Sequence, residues 1–91
     1  MNIDFEKIKN IHGKEILEEI IENKEEIQNN INYLFYLKFD DIEDIFERVT
    51  PLFINNNKTF KNKINNLIKK IGPNYVEEIE SNLGLLEEII W

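Results

Sequence analysis

Ninety-one residues, 42% hydrophobic and 32% charged, suffice for one small domain and are too apolar for a disordered chain. Eighteen acids against eleven bases leave a formal charge of −7. Having no cysteine excludes a disulfide framework, a thiolate zinc site and a cysteine nucleophile, and one histidine removes most catalytic triads and histidine-rich metal sites.

The apolar residues recur at helical spacing almost throughout. Phe5, Ile8 and Ile11 step by three through a first short helix that Gly13 breaks. Ile16, Leu17, Ile20 and Ile21 fill one face of a second, and Ile27, Ile31, Leu34 and Phe35, with Tyr36, line a third. Asp40 is positioned to cap a helix carrying Ile42, Ile45, Phe46 and Val49, with Glu43 completing a capping-box-like pair. Thr50-Pro51 is expected to end it, because the residue before proline avoids the helical region. Asn55-Asn56-Asn57 reads as a loop, with Asn57 or Thr59 capping a helix built on Phe60, Ile64, Leu67, Ile68 and Ile71. Gly72-Pro73 stops that helix, and Asn74 caps the next, which carries Tyr75, Val76 and Ile79, with Glu77 three residues on. Asn82-Leu83-Gly84 ends this set, and Leu85 to Ile90 forms a last short helix. The expected fold is one all-α domain over residues 1–91, a small bundle of five to seven short helices.

The pattern repeats. At an offset of 33, Ile42 falls on Tyr75, Phe46 on Ile79, Leu52 on Leu85, Phe53 on Leu86, and the breaker Pro51 on the breaker Gly84. The preceding helices correspond at the same offset: Ile31 with Ile64, Leu34 with Leu67, Phe35 with Ile68. A weaker echo sets Ile16, Ile20 and Ile27 against Ile42, Phe46 and Phe53. A fixed period of this size suggests stacked helical units, here about two and a half of them over residues 14–38, 39–71 and 72–91. The alternative is an irregular bundle of biased composition.

The run Leu34, Phe39-Asp40-Asp41-Ile42, Ile45-Phe46 and Val49-Thr50-Pro51-Leu52-Phe53, followed by a helix ending Ile71-Gly72, resembles the helical repeat of the mitochondrial transcription termination factor proteins. Gly72, Ile79 and Leu85-Leu86 match a second copy, and the resemblance spans residues 14–90. Phe39 and Gly84 stand where that family tends to have glycine and proline. The family is also typically longer and basic. The resemblance implies stacked helical repeats and a nucleic-acid-binding role.

Charge is segregated along the chain. Residues 55–71 hold five lysines and no acid, and residues 72–91 hold five glutamates and no base. Lys58, Lys61, Lys63, Lys69 and Lys70 are therefore candidate phosphate contacts, with Asn62, Asn65 and Asn66 as further donors. The plainer account is a solvated helix face whose last lysines suit the helix dipole. Asp40, Asp41, Asp44, Glu77, Glu78 and Trp91 are candidates for a protein interface. A compact acidic protein can occupy the basic channel of a nucleic-acid-binding partner, as nuclease inhibitors, immunity proteins and phage antagonists do. The same acids also serve as solvated faces that keep an apolar bundle soluble.

Nothing points to catalysis or a cofactor. Paired glutamates such as Glu18-Glu19 and Glu87-Glu88 are adjacent, so on a helix they diverge. The acids from Asp40 to Asp44 lack the spacing of a calcium loop, and His12 has no ligand partner one turn on. The chain has no alanine and ten lysines to one arginine, the signature of an AT-rich genome. No apolar run approaches the ~18 residues of a membrane span, and Met1 to Asn10 lacks the apolar core of a signal peptide, so a cytoplasmic protein is expected. Ile89, Ile90 and Trp91, if exposed, favour a homodimer or an oligomerisation module. The leading expectation is a non-catalytic protein-binding module, a small acidic inhibitor or adaptor. A nucleic-acid-binding helical repeat using the lysine strip is the alternative.

Overall fold

Glycines and polar caps bound two of the helices, and the spacing of isoleucine, leucine and phenylalanine decides which side of each rod faces inward. In the computed structural model, which describes residues 3–90, the chain forms eight helices and, among those residues, no strand. They are α1 (Phe5–His12), α2 (Glu15–Glu22), α3 (Lys24–Tyr36), α4 (Ile42–Arg48), α5 (Thr50–Phe53), α6 (Asn57–Ile71), α7 (Tyr75–Ser81) and α8 (Gly84–Glu87). The protein is thus a small all-α bundle. The single-turn helix α5 takes the number past the expected five to seven, and the last helix, expected over Leu85 to Ile90, is the single turn α8. Among the described residues no helix is long and apolar enough to cross a membrane.

The helix ends follow local chemistry, with some displacements from the sequence expectation. Asp4 caps α1 by accepting from the Lys7 amide at 3.0 Å. Gly13 and Gly72 end α1 and α6 with φ of 92° and 98°, a region open to glycine at little cost. Asn56, rather than Asn57 or Thr59, caps α6, its side chain accepting from the Thr59 amide at 2.9 Å. Asn74 flanks α7 without a side-chain cap. Asp40 does not cap α4 either. Glu80 of α7 reaches across instead, its Oε2 accepting from the Asp40 and Asp41 amides at 3.1 and 2.8 Å. A carboxylate remote in sequence thus holds the two residues that lead into α4.

Thr50-Pro51 opens α5 instead of closing α4, which ends one residue earlier at Arg48. Proline fits the first turn, where its missing N–H has no helical partner to lose. Thr50 Oγ1 donates back to the Phe46 carbonyl at 2.6 Å, so the bend is tied down. Gly84 likewise starts α8, its amide donating to Asn82 Oδ1 at 3.2 Å.

At the core, Phe46, Phe53 and Phe60 form a continuous row. Their centroids are 5.2 and 5.0 Å apart, the first pair edge-to-face and the second tilted. Ile8, Leu34, Ile45, Leu52, Ile64, Ile79 and Leu86 are buried around them. Helix α3 packs against α4, α5 and α6, while α1 packs against α2 and α4. Asn30 is buried at the meeting of α3 with the α5–α6 loop. It donates to the Phe53 and Asn55 carbonyls, both at 2.8 Å, and accepts from Asn57 Nδ2 at 3.0 Å. Phe5, Ile11, Ile21, Phe35 and Tyr36, read from spacing as core-facing, are exposed. Ile21 and Phe35 each directly follow a buried residue, and a neighbour lies about 100° around the helix.

Lys38 is the non-glycine residue with positive φ, 73°, among the described residues. Here α3 closes, with the Phe39 amide donating to the Leu34 carbonyl at 3.1 Å. The left-handed turn drives Phe39 into the core and leaves Asp40 outside.

Three substitutions have expected stabilities. Replacing Asn30 with leucine, similar in branching but larger, strips two carbonyls and the Asn57 side-chain amide of their partner and is expected to cost about 2–4 kcal/mol in urea unfolding. Gln28→Ala on the exposed face of the same helix is expected to stay within about 0.5 kcal/mol. Lys38→Gly removes the left-handed strain and is expected to raise stability by about 0.5–1 kcal/mol; a lower midpoint would contradict that account.

Candidate functional site

The acidic residues separate into two groups. Asp44 lies on α4 and is engaged internally. It accepts from Lys7 Nζ at 3.3 Å and from Arg48 Nε at 3.2 Å. Beside it the largely buried Glu47 takes Lys7 Nζ on Oε1 at 3.1 Å and the Asp4 amide on Oε2 at 2.9 Å. His12 Nε2 lies 3.0 Å from the Glu47 carbonyl. These contacts clamp α1 onto α4, so Asp44 belongs to the scaffold. Lys7 has its pKa raised above the usual 10.5, first by its hydrogen bond to Glu47, then by that to Asp44.

Asp40, Asp41 and Glu77 come together at the surface. A depression of about 260 Å³ is lined by Phe35, Asp40, Asp41, Ile42 and Glu43. A second, of about 310 Å³, is lined by Asp40, Pro73, Asn74, Val76, Glu77 and Glu80. Asp40 belongs to both, so the two form one acidic surface across the α3–α4 turn and the start of α7. Phe35, 55% exposed, stands at its edge. Glu78 is exposed but lines neither depression. Trp91 lies outside the described residues. Ile89 and Ile90, whose exposure would favour a homodimer, are half-buried against the core, because the chain after α8 turns back toward α6, where the Ile90 carbonyl accepts from Lys63 Nζ at 2.9 Å.

The lysines do not form one strip. Winding at about 100° per residue sets Lys58, Lys61 and Lys69 on one stripe of α6 and Lys63 and Lys70 on another, roughly a third of a turn away. Lys58, Lys69 and Lys70 are exposed and pair with no carboxylate among the described residues. Lys61 Nζ sits 5.3 Å from the centroid of the Tyr33 ring.

Beside Lys61, α3 and α6 enclose an open groove of about 610 Å³, lined by Asn29, Asn32, Tyr33, Tyr36, Asn57 and Lys61. Tyr33 and Tyr36 stack at 6.0 Å with planes 17° apart, and the Tyr33 hydroxyl donates to Asn65 Oδ1 at 2.5 Å. Tyr36 is 74% exposed. The sequence reading missed this groove by counting Tyr36 with the apolar stripe. The recoverable signal was two tyrosines three residues apart on the same side of a helix as Asn29 and Asn32. Among the described residues no group of three or more histidines and carboxylates is arranged to hold a metal ion.

No protein-family model matches the chain, and no curated protein or solved structure matches it.

The raised pKa of Lys7 fixes a pH dependence. The folded state holds that proton more tightly than the unfolded chain does, so the clamp's contribution is complete below 10.5 and is lost as pH rises through the folded value. Lys7→Met is expected to be less stable than the parent chain from about pH 7 to 9, and the gap should narrow as pH rises beyond 10.5 through the raised folded value. Urea midpoints across that range measure it, and a gap undiminished at high pH would contradict the assignment.

Proposed function

We propose that this protein is a non-catalytic protein-binding module, a small acidic inhibitor or adaptor that receives a basic segment of its partner on the surface around Asp40. The observation that carries this reading is the sharing of Asp40 between two adjoining acidic depressions with an exposed phenylalanine at their edge. Carboxylates supply charge complementarity and fast association, while an aromatic anchor supplies contact energy that charge alone lacks. Glu80, bonded to the backbone of both Asp40 and Asp41, holds the surface in one arrangement before any partner arrives.

A second reading, binding of nucleic acid by stacked helical repeats, has its own support. The order long helix, short helix, single turn occurs in α3–α4–α5 and again in α6–α7–α8. A shift of 33 residues carries Ile42–Arg48 onto Tyr75–Ser81 and the start of α3 onto the start of α6. At that shift Ile31 and Ile64, Leu34 and Leu67, Phe46 and Ile79, and Phe53 and Leu86 are buried in both copies. This recurrence supports the stacked-repeat reading, in which Lys58, Lys61 and Lys69 are the phosphate-facing side.

Titration with an arginine-rich peptide of about twelve residues, followed by amide NMR, separates the readings. The first expects shifts confined to residues 35–43 and 73–80, and an affinity reduced about tenfold by Phe35→Ala or by the pair Asp40→Asn and Asp41→Asn. Shifts spread evenly over all acidic positions, or unchanged affinity in both variants, would refute it.

A further inference from the structure

We infer that the groove between α3 and α6 is a stacking site for single-stranded nucleic acid. The inference rests on the second reading above and specifies the form of nucleic acid and the residues that receive its bases.

The lysine stripe is indifferent to strandedness, since Lys58, Lys61 and Lys69 would meet phosphates of either form. The tyrosines are not. Tyr36 keeps most of its ring in solvent, and Tyr33 lies nearly parallel to it at 6.0 Å. Two near-parallel rings, one of them open to solvent, offer a platform on which an unpaired base continues the stack. A duplex already buries its base faces and cannot use it. The platform is braced on the α6 side, where Tyr33 bonds Asn65 through its hydroxyl and carries the Lys61 ammonium 5.3 Å from its ring centre. Asn29 and Asn32 line the groove beside the rings, and their amides can donate to and accept from base edges.

Length and charge bound the ligand. From Asn29 to Tyr36 the helix rises about 10 Å, room for two or three stacked bases. Toward the start of α3 the track meets exposed Glu25 on the same side of the helix, which repels phosphate and limits the site in that direction. The Glu26 carboxylate accepts from the Asn57 amide at 2.6 Å. The overall charge of −7 opposes long-range attraction of a polyanion, so affinity has to arise from contact within the groove.

The test is fluorescence anisotropy of the full chain with a labelled twelve-nucleotide oligothymidine and with a twelve-base-pair duplex, at about 20 and 200 mM salt. The oligothymidine is expected to bind at least about fivefold more tightly than the duplex and to quench tyrosine emission. Tyr36→Ala should weaken it about tenfold, and Tyr36→Phe should restore most of the affinity, because the ring rather than the hydroxyl makes the contact. Tyr36 is exposed, so neither variant threatens the fold. Lys61→Gln should weaken binding and reduce its salt dependence. Equal affinity for the duplex, or unchanged binding by Tyr36→Ala, overturns the stacking site while the lysine reading stands. Absence of binding to both probes at the lower salt overturns both.

Discussion

The Phe46, Phe53 and Phe60 row holds this bundle together, because each ring comes from a different helix. With α4, α5 and α6 contributing one ring apiece, the row fixes how a single-turn helix sits between two longer ones. A four-residue helix has no stability of its own, since nucleation alone exceeds what its few hydrogen bonds return. Helix α5 exists because Leu52 and Phe53 are buried and because Asn30 holds the carbonyls of Phe53 and Asn55. The polar contact sets position and the aromatic row supplies the driving force. A bundle of short rods needs both, as burial alone leaves their register undefined.

From that scaffold the charged residues are sorted by what they touch. Lys7, Asp44 and Glu47 are absorbed into the joint between α1 and α4, with Arg48 pairing to Asp44 from outside it. Asp40, Asp41 and Glu77 stay at the surface around a turn, and Lys58, Lys61 and Lys69 along one side of α6. An acidic surface and a basic side on one small domain suit opposite kinds of partner. The protein-binding and nucleic-acid readings therefore concern different faces.

Most of the fold was legible in the sequence, because isoleucine, leucine and phenylalanine at helical spacing reveal both the rods and their inward sides. Gly13 and Gly72 marked ends correctly, since positive φ is a demand few other residues meet. The bracing of the turn before α4 was not legible: the acceptor, Glu80, lies 40 residues from Asp40, and only tertiary packing brings it there. Pro51 misled for a related reason, because proline is equally at home just before a break and in a first turn. Of the site residues, composition could nominate Asp40 and Asp44 alike. Only the structure separates them, through the partners that Asp44 finds on Lys7 and Arg48. Tyr36 was hidden by its own hydrophobicity, which made an exposed ring look like a core residue.

The bond from Glu80 to two successive backbone amides has a mechanical side. Because a helix far along the chain grips the turn that carries Asp40 and Asp41, the two stretches are tied to one another. A ligand pressing on that turn would transmit its push into α7 and, through Ile79, to the interior. Occupancy at the rim would then register as a change in how firmly the last third of the polypeptide is held.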